Sequence, residues 1–284
     1  MDTLKAKLRL YWPLIKSLQT ALLLTTGLAG YMSARCPVTT IPTMLGLGIS
    51  LFLSISGSTI LNMWYDRDID AKMGRTAKRP LPAGLLTPKE ALLIGLLLSL
   101  IGVGIAAAMD ALFGLIIFAG LFFDVVVYTI WLKRKTAWSI VWGGISGGMP
   151  ILAGRALGTG TIDWIGIALM LAILFWIPTH ILTFSIRYHT DYRKAGVPTF
   201  PSTYGFQFTR GVIAISSILA ALAMGGAGLG IGMAWGYLRL MAVLSAGLLV
   251  LAIATMVNPS ERVNFGLFKY ASLYMLGSML LVTL

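Results

Sequence analysis

Acidic residues are scarce in this sequence: 10 Asp plus Glu stand against 22 Lys plus Arg in 284 residues, with 2 His and 1 Cys. The lone Cys36 excludes an internal disulfide, and no Cys or His cluster has the spacing of a zinc site. Charged residues make up 11% of the chain. Soluble globular proteins carry roughly 25%, so an ordinary water-soluble enzyme is excluded. No short apolar core followed by small residues opens the chain, so a cleaved signal peptide is not expected.

What the chain has instead is apolar length. Hydrophobic residues reach 57%, gathered in blocks of roughly twenty residues, the length that crosses a bilayer as a helix. Nine such blocks can be drawn, over 18–34, 39–64, 91–109, 111–132, 139–154, 162–184, 211–235, 240–257 and 265–284. They predict an all-α integral membrane protein with nine transmembrane helices. The 32 glycines suit close helix packing, because lipid supplies little hydrophobic drive between helices.

The basic excess is explained by topology before any partner is invoked. All Lys and Arg except Arg35, Arg155 and Arg239 fall on one side of a nine-span arrangement, and positive loops face the cytoplasm. The expected location is a multi-pass cell (inner) membrane, with the N-terminus cytoplasmic, the C-terminus outside, and no nucleic-acid partner. The two longest connections, 65–90 and 187–209, lie on that cytoplasmic side, where chemistry is therefore expected. Asp66 and Asp191 in these loops follow helices four apart. Such spacing suits a tandem four-helix repeat plus a ninth helix, within a single domain over 1–284.

The acidic residues that remain are clustered. The second block ends Asn62-Met63-Trp64-Tyr65-Asp66-Arg67-Asp68-Ile69-Asp70. If the helix continues, Asn62, Asp66 and Asp70 fall at i, i+4 and i+8, three oxygen donors on one face. Carboxylates on one stripe repel unless a cation joins them, and Mg²⁺ commonly binds one or two carboxylates together with substrate phosphates. The alternative is a solvated helix end partnered by Arg67 and Lys72. The loop continues through Arg75, Lys78, Arg79, Pro80, Leu81 and Pro82. These cations could hold diphosphate oxygens or serve only to orient the chain.

Asn-x3-Asp-Arg-Asp-Ile-Asp followed by Arg-Thr-x2-Arg-Pro-Leu-Pro resembles the UbiA-type intramembrane prenyltransferases, and within them the protoheme IX farnesyltransferases, or heme O synthases. The segments 22–31, 128–134 and 178–198 agree with that resemblance. It implies a bundle around a central membrane cavity with a cytoplasmic loop cap, in which an allylic diphosphate binds through Mg²⁺, ionises, and alkylates a lipophilic acceptor. By the same resemblance Asn62, Asp66, Asp70 and Asp191 would hold the metal. Arg79 and Lys133, together with Arg75, Lys78 and Arg134, would contact the diphosphate. Tyr128 is among the aromatics available to line a cation-tolerant pocket, and His180 sits where heme-using relatives have a histidine. Thr190-Asp191-Tyr192 has one carboxylate where relatives often have two, and Ile181-Leu182 departs from the heme-using pattern after the histidine. One or two metal ions therefore remain open, as does the acceptor.

Asp124 is the odd residue of the fourth block. An acid about 13 Å into a membrane helix costs a few kcal/mol unless paired, so it faces the cavity or another helix. The partners implied are farnesyl or a longer prenyl diphosphate, protoheme or another lipophilic acceptor such as an aromatic quinone precursor, and the bilayer. A transporter of a phosphorylated solute is the competing class. It would be expected to carry inverted repeats and helices broken at mid-membrane, whereas the repeat here has one orientation and its polar motifs lie at the membrane edge.

Overall fold

The computed structural model describes residues 10–35 and 40–284, so Cys36 and the basic residues Lys5, Lys7 and Arg9 lie outside the described residues. Regular structure among the described residues is entirely helical. A 3-10 turn at Trp12–Ile15 leads into α1 (Ser17–Ser33), α2 (Ile41–Tyr65) and the short α3 (Arg67–Lys72). Next come α4 (Pro88–Met109) and α5 (Ala111–Phe122), which runs on as a π-helix over Phe123–Leu132. Then follow α6 (Ser139–Thr159), α7 (Trp164–Arg187), the short α8 (His189–Lys194), α9 (Phe200–Ile231), α10 (Trp235–Val257) and α11 (Glu261–Thr283). Seven of these helices are long and apolar enough to cross a bilayer, so the chain is an integral membrane protein.

The helix starts are written into the sequence. Thr40, Thr87, Asp110, Asp163 and Ser260 each accept a backbone N–H from the first turn of the following helix, and proline follows the first two of them inside that turn. Two elements depart from the sequence reading. The helix expected from 211 begins at Phe200, because Thr199 and Ser202 form a reciprocal cap and Pro201 fits the first turn, with a kink at Gly205 where φ is +83°. The block over 111–132 is not α-helical throughout. From Phe123 it widens to the π register, and the Lys133 amide closes on the Tyr128 carbonyl at 2.8 Å.

Most of the apolar packing falls in two large clusters. One joins α1, α2, α5 and α6 through Leu47, Leu51, Phe113 and Leu152, and the other joins α7, α9, α10 and α11 through Ile173, Ile213, Leu248 and Tyr274. Contacts of α6 with α7, and of α11 with α1, close the bundle. Helices α1 and α6 approach backbone to backbone. A Cβ at Gly154 would lie 1.9 Å from the Gly27 carbonyl oxygen, and one at Gly30 would lie 2.1 Å from that of Ile151. At one end of this pair Arg155 donates to Asp163 at 2.7 and 2.6 Å and to the Ser33 carbonyl at 2.8 Å, tying α1, α6 and the start of α7.

Gly154→Ala should force α1 and α6 apart, lowering stability by about 1 to 3 kcal/mol, the usual cost of overpacking. Thermal unfolding in detergent checks this, and an unchanged midpoint would show that the two backbones separate without penalty.

Candidate active site

The stripe read from the sequence survives a change of element. Helix α2 ends at Tyr65 and α3 begins at Arg67, yet the Asp66 amide still donates to the Asn62 carbonyl at 2.9 Å and the Asp70 amide to that of Asp66 at 2.8 Å. The ladder runs through the junction, so Asn62, Asp66 and Asp70 keep their four-residue spacing. What differs is burial: Asp66 is 3% exposed and Asp70 7%. Such anions require partners.

Lys133, at the end of the π segment, donates to Asp66 Oδ2, and Arg79 donates to Asp70 Oδ2 at 2.8 Å. Burial works against the Lys133 ammonium, but Tyr128 and the Asp66 carboxylate outweigh it and raise its pKa above the ordinary lysine value. It is a cation at neutral pH. Among the described residues Asp66 Oδ1 is buried without a hydrogen-bond donor, and Arg134 Nη2 lies 3.8 Å away. A buried anionic oxygen with unused lone pairs fits a divalent cation that completes its coordination with phosphate oxygens. No group of three His, Cys, Asp or Glu side chains among the described residues forms a metal cage by itself.

The remaining candidates sort into an inner and an outer set. Arg134 grips Asp68 through both guanidinium amines, at 2.9 and 2.7 Å, and is thereby turned toward the outer acid. Arg75 lies over the rings of Phe184 and Tyr188, and Lys78 is exposed. Asp191 lies in α8. Its loop is joined to the first one by an apolar cluster of Ile69, Met73, Ala195 and Val197 with Tyr192 against it.

One residue of the site was read from the sequence only as a topology signal. Lys16 precedes α1 with left-handed backbone, φ +43°. Burial, then the positive charges of Arg79 and Lys133, push its pKa down to about 8, while Asp124 and Asp70 act in the opposite sense. It therefore belongs to the same electrostatic cluster. Its one available signal was its place two residues before an apolar block.

Below this cluster lies a cavity of about 420 Å³, walled mainly by apolar side chains of α1, α2, α5, α6, α7 and α11 and including Asp124, Tyr128, Trp176, His180 and Phe268. Asp124 Oδ2 accepts from Ser58 Oγ and from Asn62 Nδ2, the latter at 2.8 Å. His180 is stacked between Trp176 and Phe268, centroids 4.9 and 4.5 Å away, with Nδ1 3.5 Å from Ser272 Oγ. Cations and a partly unpartnered carboxylate at one end of an apolar pocket suit an amphiphile with a polyanionic head and a hydrocarbon tail. That describes an intramembrane enzyme acting on a lipid-like diphosphate.

Comparison with known proteins agrees. Residues 23–273 match the model of the UbiA prenyltransferase family. A protoheme IX farnesyltransferase of Archaeoglobus fulgidus is 45% identical over 208 residues, covering 73% of this chain and 71% of that protein. One of Aeropyrum pernix is 38% identical over 277 residues, covering 94% and 88%. Among solved structures, a digeranylgeranylglyceryl phosphate synthase superposes with TM-score 0.81 at 19% identity, covering 100% of this chain and 98% of that one. A UbiA homolog of Archaeoglobus fulgidus bound to GPP and Mg²⁺ superposes with TM-score 0.68 at 16% identity, covering 98% and 99%. The chain belongs to the UbiA prenyltransferase family, and it is a prenyltransferase.

Lys133→Met should strip the buried Asp66 of its direct donor and leave only the Arg134 contact at 3.8 Å, a loss of up to about 3 to 5 kcal/mol, the cost of a broken buried pair. Thermal unfolding without substrate reads this loss. The double variant Lys133→Met with Asp66→Asn should recover part of it, and equal midpoints for the single variant and the wild type would show that Asp66 is neutral without Lys133.

Proposed function

We propose that this chain crosses the membrane nine times with its Asp66–Lys133 end at the cytoplasmic face, and that it transfers farnesyl from farnesyl diphosphate to a vinyl group of protoheme IX, giving heme O, with Mg²⁺ as cofactor. The observation that carries the reading is the Asp66 Oδ1 left without a donor among the described residues, on a carboxylate that Lys133 holds by its other oxygen, at the end of the bundle where an apolar cavity of about 420 Å³ begins. The names of the sequence relatives supply the acceptor, and the GPP and Mg²⁺ of the structural relative supply the chemistry of the head group.

Asp66, Asp70 and Asn62, with Asp191 from the second loop, would hold Mg²⁺, which supplies positive charge against the diphosphate. Lys16, Arg79 and Lys133 bind the same oxygens and stabilise the electron pair that the leaving diphosphate takes from C1 of the farnesyl chain. Arg75, Lys78 and Arg134 stand farther out and shape the loops that carry these groups. The C1 cation bonds the terminal vinyl carbon, water adds to the carbon next to the porphyrin ring, and its proton is released. Walls of Tyr128, Trp176 and Phe268 tolerate the cation and keep out premature water. His180 would ligate heme iron as neutral imidazole.

Purified protein with farnesyl diphosphate, Mg²⁺ and protoheme should give a product with the mass of heme O. Arg79→Met should slow its formation by about tenfold to a hundredfold, the worth of one charge-assisted contact, and the absorption spectrum of bound heme should change in His180→Ala. Product from a quinone precursor but not from protoheme would replace the acceptor, and wild-type turnover in Arg79→Met would remove that residue from the diphosphate site.

A further inference from the structure

A carboxylate inside a membrane helix is retained at a cost of a few kcal/mol, and the reaction above leaves Asp124 without a task. It stands at the second position of the π segment, on the wall of the cavity. Its Oδ2 accepts from Ser58 Oγ and from Asn62 Nδ2. The other end of that carboxamide accepts from Thr129 Oγ1 at 2.7 Å, and Thr129, five residues along the π register, is also 2.8 Å from the Asp124 carbonyl oxygen. One residue of α2 is thereby held at both ends by one turn of the π segment.

The two ends of a carboxamide are nearly the same size, and only their partners decide which way it faces. Asp124 Oδ2, which also accepts from Ser58, selects the amino end, because a flipped Asn62 would set its oxygen against Asp124 Oδ2. We propose that Asp124 is a positioning residue for Asn62: it anchors the amide nitrogen so that the carboxamide oxygen, with a lone pair left beyond Thr129, remains the end available to a cation on the Asp66 stripe. The inference rests on the reading of Asn62 as a ligand of the divalent cation. The π register is what makes it possible, since it brings Asp124 and Thr129 onto the same carboxamide.

The test is a double-mutant cycle read by metal binding. Mn²⁺ is titrated by electron paramagnetic resonance into protein in nanodiscs holding farnesyl thiolodiphosphate, which resists ionisation. Asp124→Leu should weaken Mn²⁺ binding by at least about tenfold, the worth of a hydrogen bond to a charged group. Asp124→Asn can still accept from Asn62 through its own oxygen and should weaken binding much less. In an Asn62→Ala background Asp124→Leu should change binding by less than about twofold, because a residue acting through Asn62 has nothing left to act on. Equal losses in the two backgrounds, or a loss in Asp124→Asn as deep as in Asp124→Leu, would overturn the proposal in favour of a direct effect of the charge. Wild-type Mn²⁺ binding in Asn62→Ala would instead remove Asn62 from the metal site and the proposal with it. Asp124→Ala serves in the same cycle if the leucine variant does not fold.

Discussion

The structure turns on two carboxylates placed where water does not reach them. A buried anion is tolerated only against a positive partner or enough hydrogen-bond donors, and Asp66 and Asp70 draw theirs from separate parts of the chain: Lys133 from the end of the π segment and Arg79 from the loop after α3. That requirement decides which helix ends meet. It brings α2, the π segment and the start of α1 together at one end of the bundle, and the apolar cavity begins where the charges stop. Head-group chemistry and tail binding are thus kept apart by position within one set of helices.

The balance at that end is deliberately uneven. Asp66 gives one oxygen to Lys133 and keeps the other free of donors, whereas Asp68, on the exposed side, is gripped by Arg134 at both oxygens. The Arg134 contact holds the Asp68 carboxyl below its ordinary pKa and leaves that acid saturated. Neighbouring acids two residues apart therefore play different parts: one fastens two elements and the other keeps an open position. Helical spacing explains the difference, since Asp68 falls between the residues of the Asn62–Asp70 stripe.

Much of this was legible because membrane helices announce themselves by apolar length, and because oxygen donors four residues apart keep one face even across a helix junction. Asp66 and Asp70 could be picked out for that reason. The π segment could not, since its residues Phe123 to Leu132 have the composition of any apolar helix and the register depends on what packs around it. Lys16 escaped because its charge already had a sufficient explanation in membrane orientation. Arg134 reads as a phosphate contact in the sequence, and only three dimensions reveal its bond to Asp68. The start of α9 was read too late because Pro201 and Gly205 are turn residues in sequence, while here one occupies a first turn and the other a kink.

The Arg155–Asp163 pair, at the end of the bundle away from the charge cluster, has an environmental consequence. Arg155 and the capped Gly166 amide favour the charged Asp163 carboxylate, holding its pKa below the ordinary value. A depressed folded-state pKa means the pair stabilises the native bundle above the unfolded-state value and is lost only as pH falls through the lower one. On the proposed orientation this latch faces the medium outside the cell, so mild acidification there leaves the seam of α1, α6 and α7 fastened.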